Sequence, residues 1–327
     1  MLHKGHGKPC CSSRFWCFIS KCQLVTKVLD LQKGNWSRAA APTQFMRSGS
    51  SHELAALLLT ESVLYATVTL GIALRVLFLD TKSAFDSVLK EHVVAGAYVA
   101  ADHRTDASLL YLANRISSCQ TYLQFSSTLM GPIQDKAGVE QGSISFGNQF
   151  QLVNVEELMA TQLSGLGLNM GGVSVASIGV TDDVTLLTPS PHTLQSLLKI
   201  SRTLTASTYM VNVWEKTKLL AYSPKYDMSA TYWHEAAPLS MDGVIVPVTS
   251  QAEHVGVLRS STGSNFPGVM KRIAPHTSSL YGIISCGKAR HHCGKPAASF
   301  RVESCYTAPN MFSGLAMLHL SKKELEI

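Results

Sequence analysis

The sequence predicts an α+β fold in which helices lie behind a small antiparallel sheet. The predicted elements run in the order strand, helices, strand, helix, hairpin and helix, which is typical of this class. Of the 327 residues, 46% are hydrophobic and 15% are charged, and this composition favours a packed fold over a disordered chain. The clearest strand signal is residues 178–187, where apolar residues run up to Asp182 and Asp183 and resume at once, as in a tight β-hairpin.

The first elements of this fold are a helix and a strand that ends at an aspartate. Residues 50–69 have a helical pattern, and one of the two serines at its start is a suitable N-cap. A break is expected near Gly71. The apolar run 72–79 then predicts a buried strand, which delivers Asp80 at its end.

Residues 54–79 have a second possible interpretation, because the stretch is apolar and long enough to cross a bilayer on length alone. Glu61 lies in its interior, and a charged side chain is costly at the centre of a membrane. We therefore expect a buried helix followed by a buried strand, and no membrane association. A membrane span remains the open alternative.

The middle and the end of the chain are predicted to be mostly helical. Helices are expected at residues 84–101, 107–118, 144–163 and 192–208, and a strand at residues 121–125. The glycine-bearing loop Gly138–Ser143 precedes the third of these helices, and such a loop lets backbone amides approach a ligand closely. Short strands are expected on both sides of Lys216, a hairpin turn at Asp242-Gly243, and helices again between residues 265 and 315.

Charge and cysteine content limit the classes of partner and the compartment. The formal net charge of +6 is compatible with a nucleic-acid partner without requiring one. The eight cysteines lack the spacing of a disulfide framework or of a zinc finger. We therefore expect free thiols in a reducing, intracellular compartment, nuclear or cytoplasmic, rather than secretion.

Asp80 and the pair Asp182-Asp183 are candidate metal ligands. If the strand that ends at Asp80 pairs with the hairpin, their carboxylates would form an oxygen cage, which suits Mg²⁺. Aspartate is also a common turn residue, because its side chain caps nearby backbone N–H groups. The acidic pair at the hairpin tip therefore has a structural explanation as well as a functional one.

Four segments with polar or glycine-bearing motifs follow one another along the chain: Leu79–Val88, Gly138–Ser145, Val180–Asp183 and Glu215–Lys218. In this order and at these spacings they resemble the reverse transcriptase of non-long-terminal-repeat (LINE-type) retrotransposons. They correspond in turn to that family's Asp-x-x-x-Ala-Phe-Asp, Gln-Gly, x-x-Asp-Asp and Lys-Thr motifs. Residues Ala252–Val257 resemble the family's following Leu-Gly-Val strand near the primer.

The resemblance covers roughly residues 44–318 and implies a polymerase palm. Its small antiparallel sheet would be of the ferredoxin-like split βαβ type, backed by helices, with partial fingers and a helical C-terminal region. The implied division is a poorly defined remnant of the fingers at 1–43, the palm with partial fingers at 44–260, and a thumb-like region at 261–327. We expect most of the fingers and any endonuclease domain to be missing.

The activity implied by the resemblance is RNA-directed DNA polymerisation. Nucleotide addition is an in-line phosphoryl transfer that depends on positioning and charge neutralisation, and two divalent cations serve it well. The implied cofactor is Mg²⁺, as two ions, with Mn²⁺ as a substitute. The implied partners are an RNA template, a DNA primer and deoxynucleoside triphosphates; the oligomeric state is not predicted.

The resemblance also assigns roles to individual residues. Asp80, Asp182 and Asp183 would be the catalytic metal ligands, and Lys216 would lie near the triphosphate as a proton donor. The residues implied in nucleotide binding are Phe85, as an aromatic gate against a ribose 2′-hydroxyl, Gln141 and Gly142, against the nucleotide and template, and Arg47, as a triphosphate contact.

Each of these assignments has an alternative. Thr181 stands where the family usually has alanine, and the segment around Arg47 is one residue shorter than the family's motif. Lys216 can be a solvated lysine beside a strand, and Phe85 can be a core residue that anchors the next helix. The whole chain can likewise be a catalytically silent retroelement remnant that at most binds nucleic acid.

Overall fold

The computed structural model describes residues 41–45, 50–100, 107–118, 120–134, 136–139, 146–208, 210–213, 215–225, 238–263, 268 and 270–271. Its helices are α1 (His52–Leu64), α2 (Ala84–Ser87), α3 (Lys90–Ala100), α4 (Ala107–Ser118), α5 (Phe146–Leu163) and α6 (Pro191–Ser207). Its strands are β1 (Leu74–Leu79), β2 (Gln120–Phe125), β3 (Thr128–Gln134), β4 (Leu168–Met170), β5 (Val173–Val175), β6 (Ser177–Val180), β7 (Asp183–Thr188), β8 (Lys218–Tyr222), β9 (Ser240–Met241), β10 (Val244–Ile245), β11 (Gln251–His254) and β12 (Val257–Ser260). Helices are mixed with small antiparallel sheets, which confirms the predicted α+β class.

The described residues fall into two compact units. The sheet unit comprises Ala41–Ala84 and the residues from Val155 onward, and the insert unit comprises Phe85–Asn154. Helix α5 therefore begins in the insert unit and ends in the sheet unit. The predicted domain 44–260 includes residues of both units, and its boundaries remain a prediction.

The sheet unit is built around a four-stranded antiparallel sheet with the strand order β6-β7-β1-β8. Strand β1 is central, and its Leu77 lies opposite Leu186 of β7 and Leu219 of β8. Every residue of β1 is buried, which explains why its sequence is an apolar run rather than an alternating pattern. The one charged residue in that run, Arg75, donates a hydrogen bond to the carbonyl oxygen of Pro189.

Helices cover both faces of this sheet. Successive side chains of β1 point to opposite faces, and all of them are buried, so both faces have to be covered. On one face, Leu59 of α1 shares a buried apolar cluster with Phe78. On the other face, Leu158 of α5 and Leu197 of α6 share a second cluster with Leu77. The predicted helices behind the sheet are therefore present on both of its faces.

Helix α1 begins and ends close to where its sequence predicts. Ser51 is the N-cap, and its hydroxyl oxygen accepts a hydrogen bond from Leu54 N–H at 3.3 Å. The helix continues as a π-helical turn over Tyr65–Thr69, and Gly71 then adopts a φ of +63°. Strand β1 begins at Leu74, two residues later than the apolar run suggests.

Residues 54–79 thus form parts of a helix, a π-helical turn and a buried strand. Within the part of the chain that the structure describes, no helix combines the length and the apolar character that a bilayer crossing needs. The predicted helix and strand are both present; the strand is buried along its length, whereas the helix is buried on one side and exposes Leu54 and Leu57.

The insert unit contains α2 from Phe85 onward, α3, α4, the hairpin β2–β3 and the start of α5. The helix predicted at 84–101 is interrupted at Val88 and Leu89, so α2 and α3 are separate helices. The carbonyl oxygen of Val88 accepts a hydrogen bond from Gly138 N–H at 2.7 Å, and Leu89 forms a β-bridge with Ala137. A segment distant in the sequence therefore binds the backbone at the break, and a local helical pattern does not reveal it.

The other predicted elements agree with the structure in most cases. Helices α4, α5 and α6, strand β2 and the hairpin β6–β7 occur within two residues of their expected bounds. The turn at Asp242-Gly243 is confirmed, since both residues have positive φ, 52° and 79°, between β9 and β10. Residues 265–315 lie outside the described residues except for 268 and 270–271, so the helices predicted there are not tested.

A few expectations about strands were incomplete or wrong. Strand β3 and the small hairpin β4–β5 were not predicted. The strand expected before Lys216 is absent among the described residues, where Asn212 forms a single β-bridge with Thr81. The segment 252–257 is not one strand: it comprises the last three residues of β11, the turn residues Val255 and Gly256, both at positive φ, and the first residue of β12.

A buried carboxyl lies between two helices of the sheet unit. Glu157 of α5 is only 4% exposed, and its Oε1 accepts a hydrogen bond from the hydroxyl of Ser201 on α6. Burial raises the pKa of Glu157 to about 7, although the hydrogen bond from Ser201 acts in the opposite direction. The protonated form of this side chain is therefore favoured by folding.

We expect the substitution Glu157→Gln to remove a pH dependence of folding. Because the folded-state pKa lies above the ordinary value of 4.5, Glu157 stabilises the fold fully below that pH, and the contribution is lost as pH rises through about 7. At about 1.36 kcal/mol per pKa unit, the free energy of unfolding of the parent should fall, relative to that of the variant, by on the order of 3 kcal/mol between acidic and alkaline pH. Denaturant unfolding of both proteins, near pH 5 and near pH 8, measures this difference.

Glu156→Gln is the matched control, since Glu156 is the exposed neighbour on the same helix. It should leave the pH dependence of the parent unchanged. Equal pH dependence in the parent and in Glu157→Gln would contradict the role assigned to burial.

Candidate active site

The site begins where the central strand leaves the core. Strand β1 ends at Leu79, which lies opposite Val184 of β7, and Asp80 is the next residue. Strand β7 begins at Asp183, one residue before Val184. The antiparallel ladder therefore brings Asp80 to the end of the sheet at which the β6–β7 hairpin turns, as the sequence predicts.

The hairpin tip is a two-residue turn with a strained residue. Val180 and Asp183 are paired, so Thr181 and Asp182 form the turn between them. Thr181 has a φ of +56°, a left-handed conformation that is unfavourable for a β-branched residue. The pairing of Val180 with Asp183 imposes this conformation, and the conformation in turn determines the positions of Asp182 and Asp183.

The outer edge of β6 is covered by the chain near residue 44. The amide of Gly179 donates to the carbonyl oxygen of Thr43 at 2.9 Å, and the amide of Phe45 donates to the carbonyl oxygen of Gly179 at 2.9 Å. This segment therefore lies beside the strand that leads to the hairpin tip. Arg47, two residues after Phe45, lies outside the described residues.

Burial and the charges of neighbouring acids act on Asp182 and Asp183. Partial burial raises the pKa of Asp182, its own backbone hydrogen bond opposes this, and the charge of Asp80 raises it further. Asp183 is exposed to solvent, but protein atoms and other acidic side chains surround its carboxylate on part of its surface. Partial desolvation, and then the charges of Asp182, Asp80 and Glu253, raise the pKa of Asp183 to about 6.

Glu253 is an acidic neighbour that the sequence did not single out. It lies on β11, its Oε2 accepts a hydrogen bond from Lys271 Nζ, and its charge acts on Asp183. The resemblance of residues 252–257 to the Leu-Gly-Val strand near the primer assigns no role to this carboxylate. Only the pairing of β11 with β12 and its packing near the sheet reveal the proximity.

Lys216 is far from Asp80 in the sequence but lies beside it in the structure. Its Nζ is 3.3 Å from Asp80 Oδ2. That oxygen is shielded from solvent and accepts no hydrogen bond from the described residues. The structure therefore brings together Asp80 and Lys216, which belong to the first and the fourth of the sequence motifs.

Backbone hydrogen bonds explain how the Lys-Thr segment reaches Asp80. The amide of Val213 donates to the carbonyl oxygen of Asp80 at 2.8 Å. The carbonyl oxygen of Val213 in turn accepts from the amides of Lys216 and Thr217 and from the Thr217 hydroxyl, the last at 2.8 Å. Thr217 is fully buried and closes this tight turn, which directs Lys216 back to the end of β1.

Oxygen ligands are available here for a divalent cation, but not as a group of three. Among the described residues, no three His, Cys, Asp or Glu side chains are arranged to hold a metal ion. Magnesium commonly binds one or two carboxylates and takes its other oxygens from water and substrate phosphates. Asp80, with its unsatisfied Oδ2, and Asp182 suit that smaller ligand set. Their metal role remains a prediction.

The residues predicted to bind nucleotide are mostly outside the described part of the chain. Gln141, Gly142 and Arg47 all lie there, so their roles are not tested. Phe85 is described, within the insert unit, where its partly buried ring lies 5.1 Å from the ring of the fully buried Phe150. Its contribution to packing is thus observed, and its role as a sugar gate remains a prediction.

Comparisons with known proteins give similarity at the level of structure. No protein-family model matches the sequence, and no curated protein sequence matches it. Apo telomerase from Candida tropicalis aligns at a TM-score of 0.48 and 12% identity, covering 77% of this chain and 42% of that one. The same enzyme in complex with a TWJ fragment of telomeric RNA aligns at 0.45 and 13% identity, covering 62% and 33%. Telomerase from Candida albicans, in complex with a TWJ fragment of telomeric RNA, aligns at 0.41 and 12% identity, covering 73% and 36%.

This chain therefore spans less than half the length of each of these telomerase chains. TM-scores below 0.5 do not by themselves establish a shared fold. The function is inferred instead from the order of the motifs and from the geometry of the carboxylates.

We expect the substitution Asp183→Asn to stabilise the metal-free protein at neutral pH. The raised pKa means that ionisation of Asp183 beside other acids disfavours the fold, so this penalty is absent below about pH 4 and complete above about pH 6. Thermal unfolding in the presence of a chelator should give a higher Tm for the variant near pH 7.5 and equal values near pH 4. Asp86→Asn, at an exposed aspartate of α2, is the control. A lower Tm for Asp183→Asn at neutral pH would contradict the repulsion.

Proposed function

We propose that this chain is the reverse-transcriptase domain of a retrotransposon of the LINE type, an RNA-directed DNA polymerase that adds nucleotides to a primer 3′-hydroxyl. The observation that supports it best is the meeting of Asp80 with the Asp182-Asp183 hairpin at the end of the central strand, with Lys216 against Asp80. Residues from three separate motifs thus form one cluster, in which carboxylates lie beside a lysine ammonium. A turn motif with no function would not require this convergence.

The chemistry of the cluster suits nucleotidyl transfer. Asp80 and Asp182 would hold divalent cations, Mg²⁺ or in its place Mn²⁺, with Asp183 close by. When bound, two such ions supply charge neutralisation at the triphosphate and activation of the primer hydroxyl. Lys216, whose side chain is exposed and lies against Asp80, would hold a proton near the triphosphate for the leaving pyrophosphate.

The proposed partners follow from the motif set and from the charge of the chain. They are an RNA template, a DNA primer and deoxynucleoside triphosphates. The Gln-Gly segment would contact the nucleotide and template through Gln141 and Gly142, and Arg47 would contact the triphosphate. A net charge of +6 suits contact with phosphate backbones.

A second candidate function is a catalytically silent remnant that binds nucleic acid at most. It is favoured by one observation, namely that no group of three metal-binding side chains is formed among the described residues. A primer-extension assay on a homopolymer template, with Mg²⁺ or Mn²⁺, separates the two candidates, because only the polymerase extends the primer.

We expect the substitution Asp182→Asn to abolish primer extension while the fold persists. The amide keeps the shape of the side chain but removes the charge that would balance the cations. Removal of preorganised charge stabilisation typically lowers turnover by about 10²-fold or more. Primer extension, together with circular dichroism of the purified variant, measures both outcomes.

The matched control is Asp242→Asn, because Asp242 also occupies a hairpin turn, with a φ of 52°, and pairs with Arg202 rather than with another acid. It should extend primers as the parent does. Full activity in Asp182→Asn would exclude the proposed metal role.

We expect the substitution Phe85→Val to raise the incorporation of ribonucleotides relative to deoxyribonucleotides. The smaller side chain removes the ring that would clash with a 2′-hydroxyl, while the site stays apolar. Steady-state incorporation of paired ribo- and deoxyribonucleotides measures the ratio. Phe125→Val, at an exposed phenylalanine of β2, is the control.

The contact between Phe85 and Phe150 makes a second outcome informative. If Phe85 only anchors α2 in the core, incorporation of both nucleotide types falls together as the fold loosens. An unchanged ratio in a stable, active variant would remove the gate role.

A further inference from the structure

The ion pair between Lys216 and Asp80 has a feature that a structural salt bridge would not have. The Lys216 side chain is 69% exposed. The oxygen that it approaches, Asp80 Oδ2, is shielded from solvent and accepts no hydrogen bond from the described residues. The lysine therefore contacts a shielded ligand oxygen that accepts no hydrogen bond from the described residues.

The backbone brings this lysine to Asp80 whether or not the ion pair is formed. Asp80 and Val213 are joined by a backbone hydrogen bond, and the buried Thr217 closes the turn that contains Lys216. Only the flexible side chain of Lys216 has to move for its ammonium to leave Asp80. The pairing is thus local and reversible, and it needs no rearrangement of the sheet.

The charges around the site explain why a counter-ion is useful there. The strand register brings Asp80 and the hairpin acids Asp182 and Asp183 to the same end of the sheet, so their carboxylates repel one another when no cation is present. A lysine ammonium offsets part of this repulsion with a single charge. An ion pair made by a largely exposed lysine side chain is weak, so a divalent cation that binds two carboxylates can displace it.

We propose that Lys216 is a resident counter-ion of the candidate metal site: it pairs with Asp80 in the metal-free protein, and a divalent cation displaces it. The released ammonium is then free to contact the triphosphate of a nucleotide. Lys216 therefore acts twice, first as a competitor of the cation and then as a ligand of the substrate. This inference rests on the proposed function and concerns the regulation of the same site.

The test is Mn²⁺ binding to the full chain in the absence of nucleotide, measured by titration calorimetry or by the electron paramagnetic resonance of free Mn²⁺. Lys216→Gln should bind Mn²⁺ about twofold to fivefold more tightly than the parent, because the cation no longer displaces an ammonium. Lys216→Arg, which keeps the charge, should retain the affinity of the parent. The variant Lys216→Gln should also bind a nucleoside triphosphate more weakly in the presence of Mn²⁺.

Lys218→Gln is the matched control for a general effect of charge. Lys218 is an exposed residue two positions further along the chain, and it forms no ion pair within the described residues. Its substitution removes the same charge without freeing Asp80, so Mn²⁺ affinity should change by less than in Lys216→Gln. Asp80→Asn should lose most of the Mn²⁺ affinity.

The outcomes distinguish this inference from the proposed function. Equal Mn²⁺ affinity in the parent and in Lys216→Gln, or equal tightening by Lys218→Gln, overturns the counter-ion role but leaves the metal site standing. Failure of the folded parent and of every variant to bind Mn²⁺ overturns the metal site itself and the counter-ion role with it.

Discussion

The pairing of one buried strand with two antiparallel neighbours determines the rest of the site. Strand β1 is buried along its whole length, and β7 and β8 bind it on either side. Burial on both faces requires helices on both sides of the sheet, and α1, α5 and α6 supply them. A carboxylate cannot lie within such a strand without a partner, so Asp80 occurs where the strand leaves the core. Since β7 begins at that end, the hairpin acids occur there too.

The cost of this arrangement is electrostatic and conformational. The charge of Asp80 raises the pKa of Asp182 and of Asp183, and Thr181 adopts a left-handed backbone conformation that a β-branched residue disfavours. Such penalties persist only where the surrounding structure imposes them. Here the sheet register fixes both ends of the turn, and the ammonium of Lys216 offsets part of the repulsion. A site of this kind is suited to bind positive charge.

The sequence predicted the elements that have strong local signals, and it predicted how two of them meet. The apolar run before Asp80 and the hairpin around Asp182 are each legible from neighbouring residues, and antiparallel pairing then brings the acids to one end. The unpredicted strands β4 and β5 have only three residues each, too few to show a period. The break between α2 and α3 depends on hydrogen bonds from residues 137–138, and Glu253 approaches Asp183 through the packing of a later hairpin. The helix break and the approach of Glu253 both depend on residues distant in the sequence, so no short stretch of sequence predicts them.

In the Lys-Thr segment, a residue that stabilises the fold is preceded directly by a residue positioned for chemistry at the site. Thr217 is fully buried, and its hydroxyl donates to the carbonyl oxygen of Val213, so its identity is explained by the turn alone. Lys216 is exposed and contributes little to the fold, yet that turn gives it its position beside Asp80. The two roles are separable because the backbone of Val213 is hydrogen-bonded to the backbone of Asp80, not to its side chain. The carboxylate of Asp80 therefore stays available for a cation, while the chain that delivers the lysine remains fixed to the same strand end.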